Sequence, residues 1–378
     1  MGDPRVIPIT DLDISGSGNR FIDSITETDM VYFLLNVGNG DAQLLMLPFR
    51  DGRRDLVVVD VGRFKVMREL IASLQQGGFI SEPVEIDIAI ATHPHRDHIA
   101  GMGSLLDFCK VHEFWDAGFD TGKPTYWEMR DKAEAVSRVC EPTSGYERLL
   151  KNVNFTVLAP SIALKHQFDS RGIEENNSSI VLMVEYPYIP TVQRQGERTP
   201  LHRRRGARLL LGADAQTASW AHVESDFPAS KTRASRGAGE TRQRREVDYL
   251  DADVLKVPHH GSKHGVNLEF VERVGPKYSL VSCAEGGGVH RFPHAIAQEI
   301  LREARHRTAA RGGDRPGDHK LGIHYTSDYI IDVSGAKLPL GSVAIVVGLG
   351  RNQLSVWRLG DGNAAGGLSD LGRAVKVK

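Results

Sequence analysis

The chain is predicted to be a layered α/β protein with substantial sheet, and three observations lead there. Strand-like runs come first in pairs and then alternate with helix-like ones, the order that builds layers rather than a helical bundle. Two apolar runs, 86–90 and 253–257, end abruptly in imidazoles and carboxylates, as strands do when they deliver functional groups to their tips. No internal repeat of fixed period is present, which excludes a solenoid. Of the 378 residues, 40% are hydrophobic and 25% charged, an ordinary globular balance.

In chain order, residues 1–28 are polar and rich in Gly, Ser and Asp, and are expected to form a loose arm or an edge element. Residues 31–35 and 43–47 then form a strand pair around the tight connection Gly38-Asn39-Gly40-Asp41. The run 56–59 is a buried strand ending in Asp60-Val61-Gly62. A helix follows, with Met67, Leu70, Ile71 and Leu74 on one stripe and Gly77-Gly78 as its stop. After the run 86–90, a helix is expected at 128–139, strands at 154–158, 179–185, 207–211, 253–257 and 278–283, a helix at 295–305, and strands at 343–347 and 354–357. No linker divides two cores, so one domain spans 29–360 and a tail covers 361–378. Segments 188–206 and 227–247 are rich in Arg, Gly, Ser and Thr and are expected as insertions.

No stretch approaches the roughly 20 apolar residues that span a bilayer, so no membrane insertion is expected. The first residues lack a basic region followed by an apolar core, so no secretory signal is expected either. Cys109, Cys140 and Cys283 are scattered without CxxC spacing, which suggests reduced thiols and a cytoplasmic protein. The net charge of -1 does not mark the whole chain as a polyanion binder. Arginines are nevertheless concentrated in three blocks, near 194–208, 231–245 and 302–320. They are either solvated surface or a phosphate-tracking face, with Arg203, Arg204, Arg205, Arg244 and Arg245 as candidate nucleic-acid contacts.

The segment His93-Pro94-His95-Arg96-Asp97-His98 carries the clearest chemistry. Three imidazoles and a carboxylate within six residues, at the end of an apolar run, suit first-row metals. Other strand ends supply companions. Asp214 follows 209–211, and a carboxylate at such a tip either caps a turn or bridges two cations. His259-His260-Gly261-Ser262 ends the run 253–257 with paired imidazoles. Asn176-Asn177-Ser178-Ser179 precedes a strand, and His294 precedes a helix as either a cap or a ligand.

In this order, Asp60 with Gly62, His93-x-His95-x-Asp97-His98, Asp214 and His259-His260, the chain resembles the metallo-β-lactamase superfamily. Within it, the chain is similar to the hydrolase domain of ComEC-type DNA-uptake (competence) proteins. Four strings carry the finer likeness: Asn36-Val37-Gly38-Asn39-Gly40-Asp41-Ala42, Asn176 to Leu182, Leu255-Lys256-Val257-Pro258-His259-His260-Gly261-Ser262, and Thr326-Ser327-Asp328. The likeness runs from about residue 30 to about residue 358.

The resemblance implies a four-layer αββα sandwich with two divalent metal ions at one edge. Carried over by position, His93 and His95 would bind the first ion, Asp97, His98 and His260 the second, and Asp214 would bridge them. Asp60, Asp41, Asn176 and Asn177 would stand behind these ligands. Zn²⁺ suits the His-rich set, and Mn²⁺ is compatible because carboxylates contribute.

The expected activity is metal-dependent hydrolysis, with a hydroxide shared by the two ions attacking phosphorus in nucleic acid. Asp97 would orient the nucleophile, and His259 or His294 would hold or protonate oxygen. The same site could act on a small phosphodiester, lactone or thioester, or the fold could serve as a metal-stabilised module that binds nucleic acid or a partner encoded separately. Three departures from the pattern stand out. The superfamily often places a further imidazole where this chain has Asn176 and Asn177, a replacement that ComEC-like members share. Those members usually carry Asp at Asn36, and the membrane portion of the uptake proteins is not expected in this chain.

Overall fold

The computed structural model describes residues 5–13, 21–171, 174–188, 206–229, 248–309, 317–350, 353–360, 371 and 374–378. Two sheets pack face to face. The larger runs, edge to edge, through Leu12–Asp13, Val375–Val377, Leu354–Arg358, Val343–Val347, Met30–Leu34, Ala42–Arg50, Arg53–Val61, Glu85–Ala91, Lys110–Asp116 and Arg138–Cys140. The smaller runs through Ile323–Tyr325, Tyr278–Val281, Val254–Lys256, Ala207–Leu211, Val181–Tyr186, Val153–Ala159 and Glu147–Leu150.

The layers follow from the alternation of side chains along each strand. In Ala42–Arg50, Leu45 and Leu47 face the other sheet, where they join Val57, Val59, Ile88, Phe155, Leu182 and Leu209 in the central core. Leu44 and Met46 face outward, onto helices Phe64–Gln76, Met102–Phe108 and Pro124–Val136. The second sheet repeats the device. Met183, Leu210, Leu255 and Val281 point away from the centre and meet Trp220, Phe270, Val271 and Leu301 of helices Thr217–Asp226, Leu268–Val274 and Ala295–Ala309. Strands buried on both faces are apolar throughout, which explains their uninterrupted hydrophobic runs. The expected αββα sandwich is therefore observed.

Several features differ from the sequence expectation. The helix expected at 128–139 spans Pro124–Val136, because Pro124 starts it at a position where its missing N–H costs nothing, and Arg138–Cys140 is an edge strand. Lys110–Asp116 is a strand that charged residues concealed. Helices Thr217–Asp226 and Leu268–Val274 lack a long apolar stripe and were not anticipated. Residues 12–13 take the edge-element alternative, and residues 375–377, from the expected tail, pair antiparallel with them at the edge of the large sheet.

Each sheet contains a parallel block. Arg53–Val61, Glu85–Ala91 and Lys110–Asp116 run parallel, as do Ala207–Leu211, Val254–Lys256, Tyr278–Val281 and Ile323–Tyr325. Parallel strands end on one side, and loops at their carboxyl ends form the natural crevice.

Candidate metal centre

That crevice collects the sequence-predicted residues. Asp60 ends Arg53–Val61, and His93, His95, Asp97 and His98 follow Glu85–Ala91. Asp214 follows Ala207–Leu211, and His259 and His260 follow Val254–Lys256. Four non-glycine residues in left-handed backbone stand here: Asp60 (φ 57°), Ala213 (φ 43°), His259 (φ 47°) and His260 (φ 52°). Each such residue costs on the order of 1 kcal/mol, and such strain gathers where geometry serves function.

Close backbone packing fixes the loops. The Asp41 N–H donates to the Asp97 carbonyl at 3.2 Å, and the Gly62 N–H donates to the Asp41 carbonyl at 2.8 Å. A Cβ on Gly62 would lie 2.0 Å from the Asp97 carbonyl oxygen, so no other residue fits there.

Three buried imidazoles share one orientation. His98 Nδ1 lies 2.7 Å from Asp60 Oδ2, a carboxylate that can only accept, so Nδ1 carries the proton. His260 Nδ1 faces the Ser282 carbonyl at 3.2 Å, with the same consequence. Thr92 Oγ1 donates to Asp60 at 2.8 Å and so accepts from His93 Nδ1 at 3.1 Å. Each ring therefore turns its Nε2 inward. The His98 and His260 Nε2 atoms stand 3.4 and 3.5 Å from Asp214 Oδ1, and His93 Nε2 stands 3.9 Å from Asp214 Oδ2.

Burial and charge set the protonation. Burial, and then the neighbouring His98, push the His93 imidazole well below its ordinary pKa. Burial also acts against a charged His98, but Asp214 and Asp60 outweigh it and hold that ring well above its usual value. Burial opposes ionisation of Asp214, yet His260 and His98 overcome it and hold the carboxyl well below the usual range. Burial raises the Asp60 carboxyl despite His98.

These residues fit a metal. His93 Nε2, His98 Nε2, His260 Nε2 and Asp214 Oδ1 are all buried without a hydrogen-bond partner, which a folded protein rarely tolerates unless something else satisfies them. Two donor groups, His93–His95–Asp214 and Asp97–His98–His260, each keep their ligand atoms within 4.8 Å of one another. Imidazole and carboxylate donors pinned from behind by Asp60 and Ser282 are what a divalent first-row cation needs.

The remaining expected residues surround this cluster. Asp41 pairs with Lys256, both fully buried, and Lys256 Nζ also donates to the Ala213 carbonyl at 3.1 Å. His259 Nε2 is 3.8 Å from Asp214 Oδ2, and its pKa is lowered to about 4, mainly by burial. His294 Nδ1 accepts the Lys263 N–H at 3.0 Å and so braces the His260 loop. The Asn177 side-chain oxygen accepts the Ser219 N–H at 3.1 Å, tying down helix Thr217–Asp226. Asn176 donates to Glu174 at 3.2 Å, and its own side-chain oxygen is buried and unpartnered. Arg203, Arg204, Arg205, Arg244 and Arg245 lie outside the described residues. From the third arginine block, Arg302 binds Asp318 at 2.7 Å and Arg305 donates to the Leu321 carbonyl at 2.8 Å, so both tie down helix Ala295–Ala309.

Sequence reasoning missed Glu175, Lys256, Thr92 and Ser282. Lys256 stands within a quoted string, where a charged residue in an apolar strand was the available signal, and Thr92 directly precedes His93. Nothing in the sequence marked Ser282, which holds His260 through its carbonyl.

No protein-family model matches the chain. ComE operon protein 3 of Bacillus subtilis is 25% identical over 288 residues, which is 73% of this chain. The chain spans 30% of the length of that relative. Among solved structures, the metallo-β-lactamase fold protein YhfI from Bacillus subtilis matches with a TM-score of 0.40 at 14% identity, over 79% of this chain and 96% of that one. Zn²⁺-bound PqqB from Methylobacterium extorquens matches with a TM-score of 0.40 at 10% identity, over 78% and 97%. With two sheets between helical layers and a donor cluster at the strand tips, the chain has the αββα architecture and is similar to proteins of the ComEC type.

Proposed function

We propose that the protein is a metal-dependent phosphodiesterase acting on nucleic acid. The observation that carries the reading is the set of three buried imidazoles, each with Nδ1 pinned and Nε2 bare, converging on Asp214. His93, His95, Asp97, His98, His260 and Asp214 would hold two divalent cations, Zn²⁺ or Mn²⁺. When bound, such cations supply a nucleophilic water at neutral pH and offset charge on phosphoryl oxygens.

The chain's own residues supply the rest. Asp97 has a side chain 45% exposed and stands at the mouth, where a carboxylate can orient a water and take its proton. Gln216 donates to Glu174 at 2.9 Å, which fixes its amide, and the same nitrogen donates to His259 Nδ1 at 2.9 Å. His259 is therefore a neutral imidazole whose Nε2–H faces the site, suited to hold a phosphoryl oxygen or give a proton to a leaving one.

Arg96, Lys263 and Arg291 are exposed on the loops that bear His95, His260 and His294. Cations so placed favour an anionic ester over a neutral lactam or lactone. The resemblance to ComEC-type proteins supports nucleic acid among anionic esters.

A cleavage panel tests this. The protein is offered single- and double-stranded DNA, RNA, bis(p-nitrophenyl) phosphate, a lactone and a β-lactam across a range of Mn²⁺ and Zn²⁺. Nucleic-acid cleavage that Asp97→Ala abolishes is expected. Turnover of the lactone with every phosphodiester left intact would sink the reading.

A further inference from the structure

One contact lies outside the expected ligand set. His95 Nε2 stands 2.7 Å from Glu175 Oε2, a carboxylate that can only accept, so this nitrogen carries the proton here. Lys123 Nζ holds the same carboxylate oxygen. Glu175 begins a short turn, Glu175–Ser178, that is fastened on three sides. Ser178 Oγ donates to the Glu175 carbonyl at 2.6 Å, Asn177 holds Ser219, and the Ile180 N–H donates to the Thr92 carbonyl at 2.9 Å. The last bond ties this turn to the loop that carries His93 and His95. The Glu175 side chain is 26% exposed, so it has room to adjust at the rim.

The donor count makes the contact informative. The second half of the cluster offers two imidazoles, His98 and His260, and a carboxylate of its own, Asp97, beside the shared Asp214. The first half offers His93, His95 and Asp214, with no carboxylate of its own.

Resting on the two-cation reading above, we propose that Glu175 is the missing ligand of the first cation. Both halves then hold two imidazoles, one private carboxylate and Asp214. A divalent cation taken up between His95 Nε2 and Glu175 would displace the proton they now share and replace the Lys123 ammonium as the carboxylate's partner. A second carboxylate also hardens the first site, so Mn²⁺ competes better with Zn²⁺ there than with an imidazole in the same place. Asn176, with its buried unpartnered oxygen, is the rival donor.

The test is cation uptake by the full-length, metal-stripped protein, followed by calorimetry and by Mn²⁺ electron paramagnetic resonance. Wild type takes up two Mn²⁺ with the coupled signal of a pair. Glu175→Gln keeps one and binds the other on the order of 10–100-fold more weakly, leaving an isolated Mn²⁺ signal. Glu175→His restores two cations and shifts the preference toward Zn²⁺. Lys123→Met, which removes the competing ammonium, tightens the first cation. Asn176→Ala leaves both in place.

A wild type that holds one cation overturns the two-cation reading and this assignment with it. A wild type with two cations, both retained by Glu175→Gln at unchanged affinity, overturns the assignment alone, as does loss of the first cation in Asn176→Ala.

Discussion

The two halves of the donor cluster are built differently. His98 and His260 are 0 and 1% exposed, and a buried carboxylate and a backbone carbonyl hold them from behind. On the other half His93 is backed by a hydroxyl, while His95 is 30% exposed and meets a glutamate at the rim. The difference teaches which geometry the fold fixes unaided. Buried rings with charged or backbone acceptors are set before any cation arrives, whereas rim ligands are ordered by the cation they share.

Asp214 is where the halves meet, so it gives the largest expected effect. Its Oδ1 faces His98 and His260, and its Oδ2 faces His93 and His259. Asp214→Asn keeps the shape but exchanges one oxygen for an amide and removes the charge between the halves. Turnover is expected to fall on the order of 10³-fold or more, with loss of both cations. Metal analysis alongside turnover reads both. Retention of two cations would show that the halves bind independently of their bridge.

The rigidity of the buried half has a separate source in Lys256. Its ammonium joins the Asp41 loop to the Ala213–Asp214 turn from beneath, on the strand that leads to His260. Lys256→Met leaves Asp41 charged and without its partner in the interior, which costs about 3–5 kcal/mol. Urea denaturation measures the loss, and Lys256→Met combined with Asp41→Asn should recover much of it. A double variant no more stable than the single would show that packing, not charge, is at stake.

Much of this was legible in the sequence because strand tips advertise themselves. An apolar run that stops at His93 or His259 fixes both the strand and its cargo, and the parallel blocks then bring the tips together. Less legible was everything that depends on a contact across the fold. Ser282 serves through a carbonyl, which every residue has, and Glu175 reaches His95 only after two sheets have packed. Lys110–Asp116 escaped because its Lys, His and Glu pair with charges elsewhere. Lys110 and His112 pair with Glu85 on the neighbouring strand, and Glu113 pairs with Arg138 on the next strand and Arg148 of the other sheet. Periodicity reports burial, and it is silent where charged side chains of a strand are covered by ion pairs.

Acid sensitivity separates scaffold from site. His324 is fully buried in Ile323–Tyr325, far along the chain from the donor loops, and burial lowers its pKa to about 3. Arg358 and His319 add to the shift. Between pH 6.5 and that value the unfolded chain takes up a proton that the folded protein refuses. Stability is therefore full above pH 6.5 and lost as pH falls. Between pH 6.5 and 4.5 this one group accounts for about 2–3 kcal/mol. In metal-stripped protein, His324→Leu should flatten the decline by that amount in urea titrations at stepped pH. An unchanged slope would place the acid sensitivity in the donor cluster instead.

The smallest expected effect is the sharpest probe of the contrast. Thr92 reaches both halves, since its hydroxyl donates to Asp60 at 2.8 Å and accepts from His93 at 3.1 Å. Asp60 also accepts the Thr92 backbone N–H at 2.9 Å and His98 Nδ1 at 2.7 Å, neither of which depends on the hydroxyl. Thr92→Val keeps the branched shape and removes only the oxygen. His93 then loses the group that fixes its tautomer, at a cost of about 1 kcal/mol, while His98 keeps its carboxylate. The first cation should bind roughly 5–10-fold more weakly, with the second unchanged, in a two-step calorimetric titration. Equal weakening of both steps would mean that Asp60 transmits the loss across the cluster, and that the two halves respond as one unit.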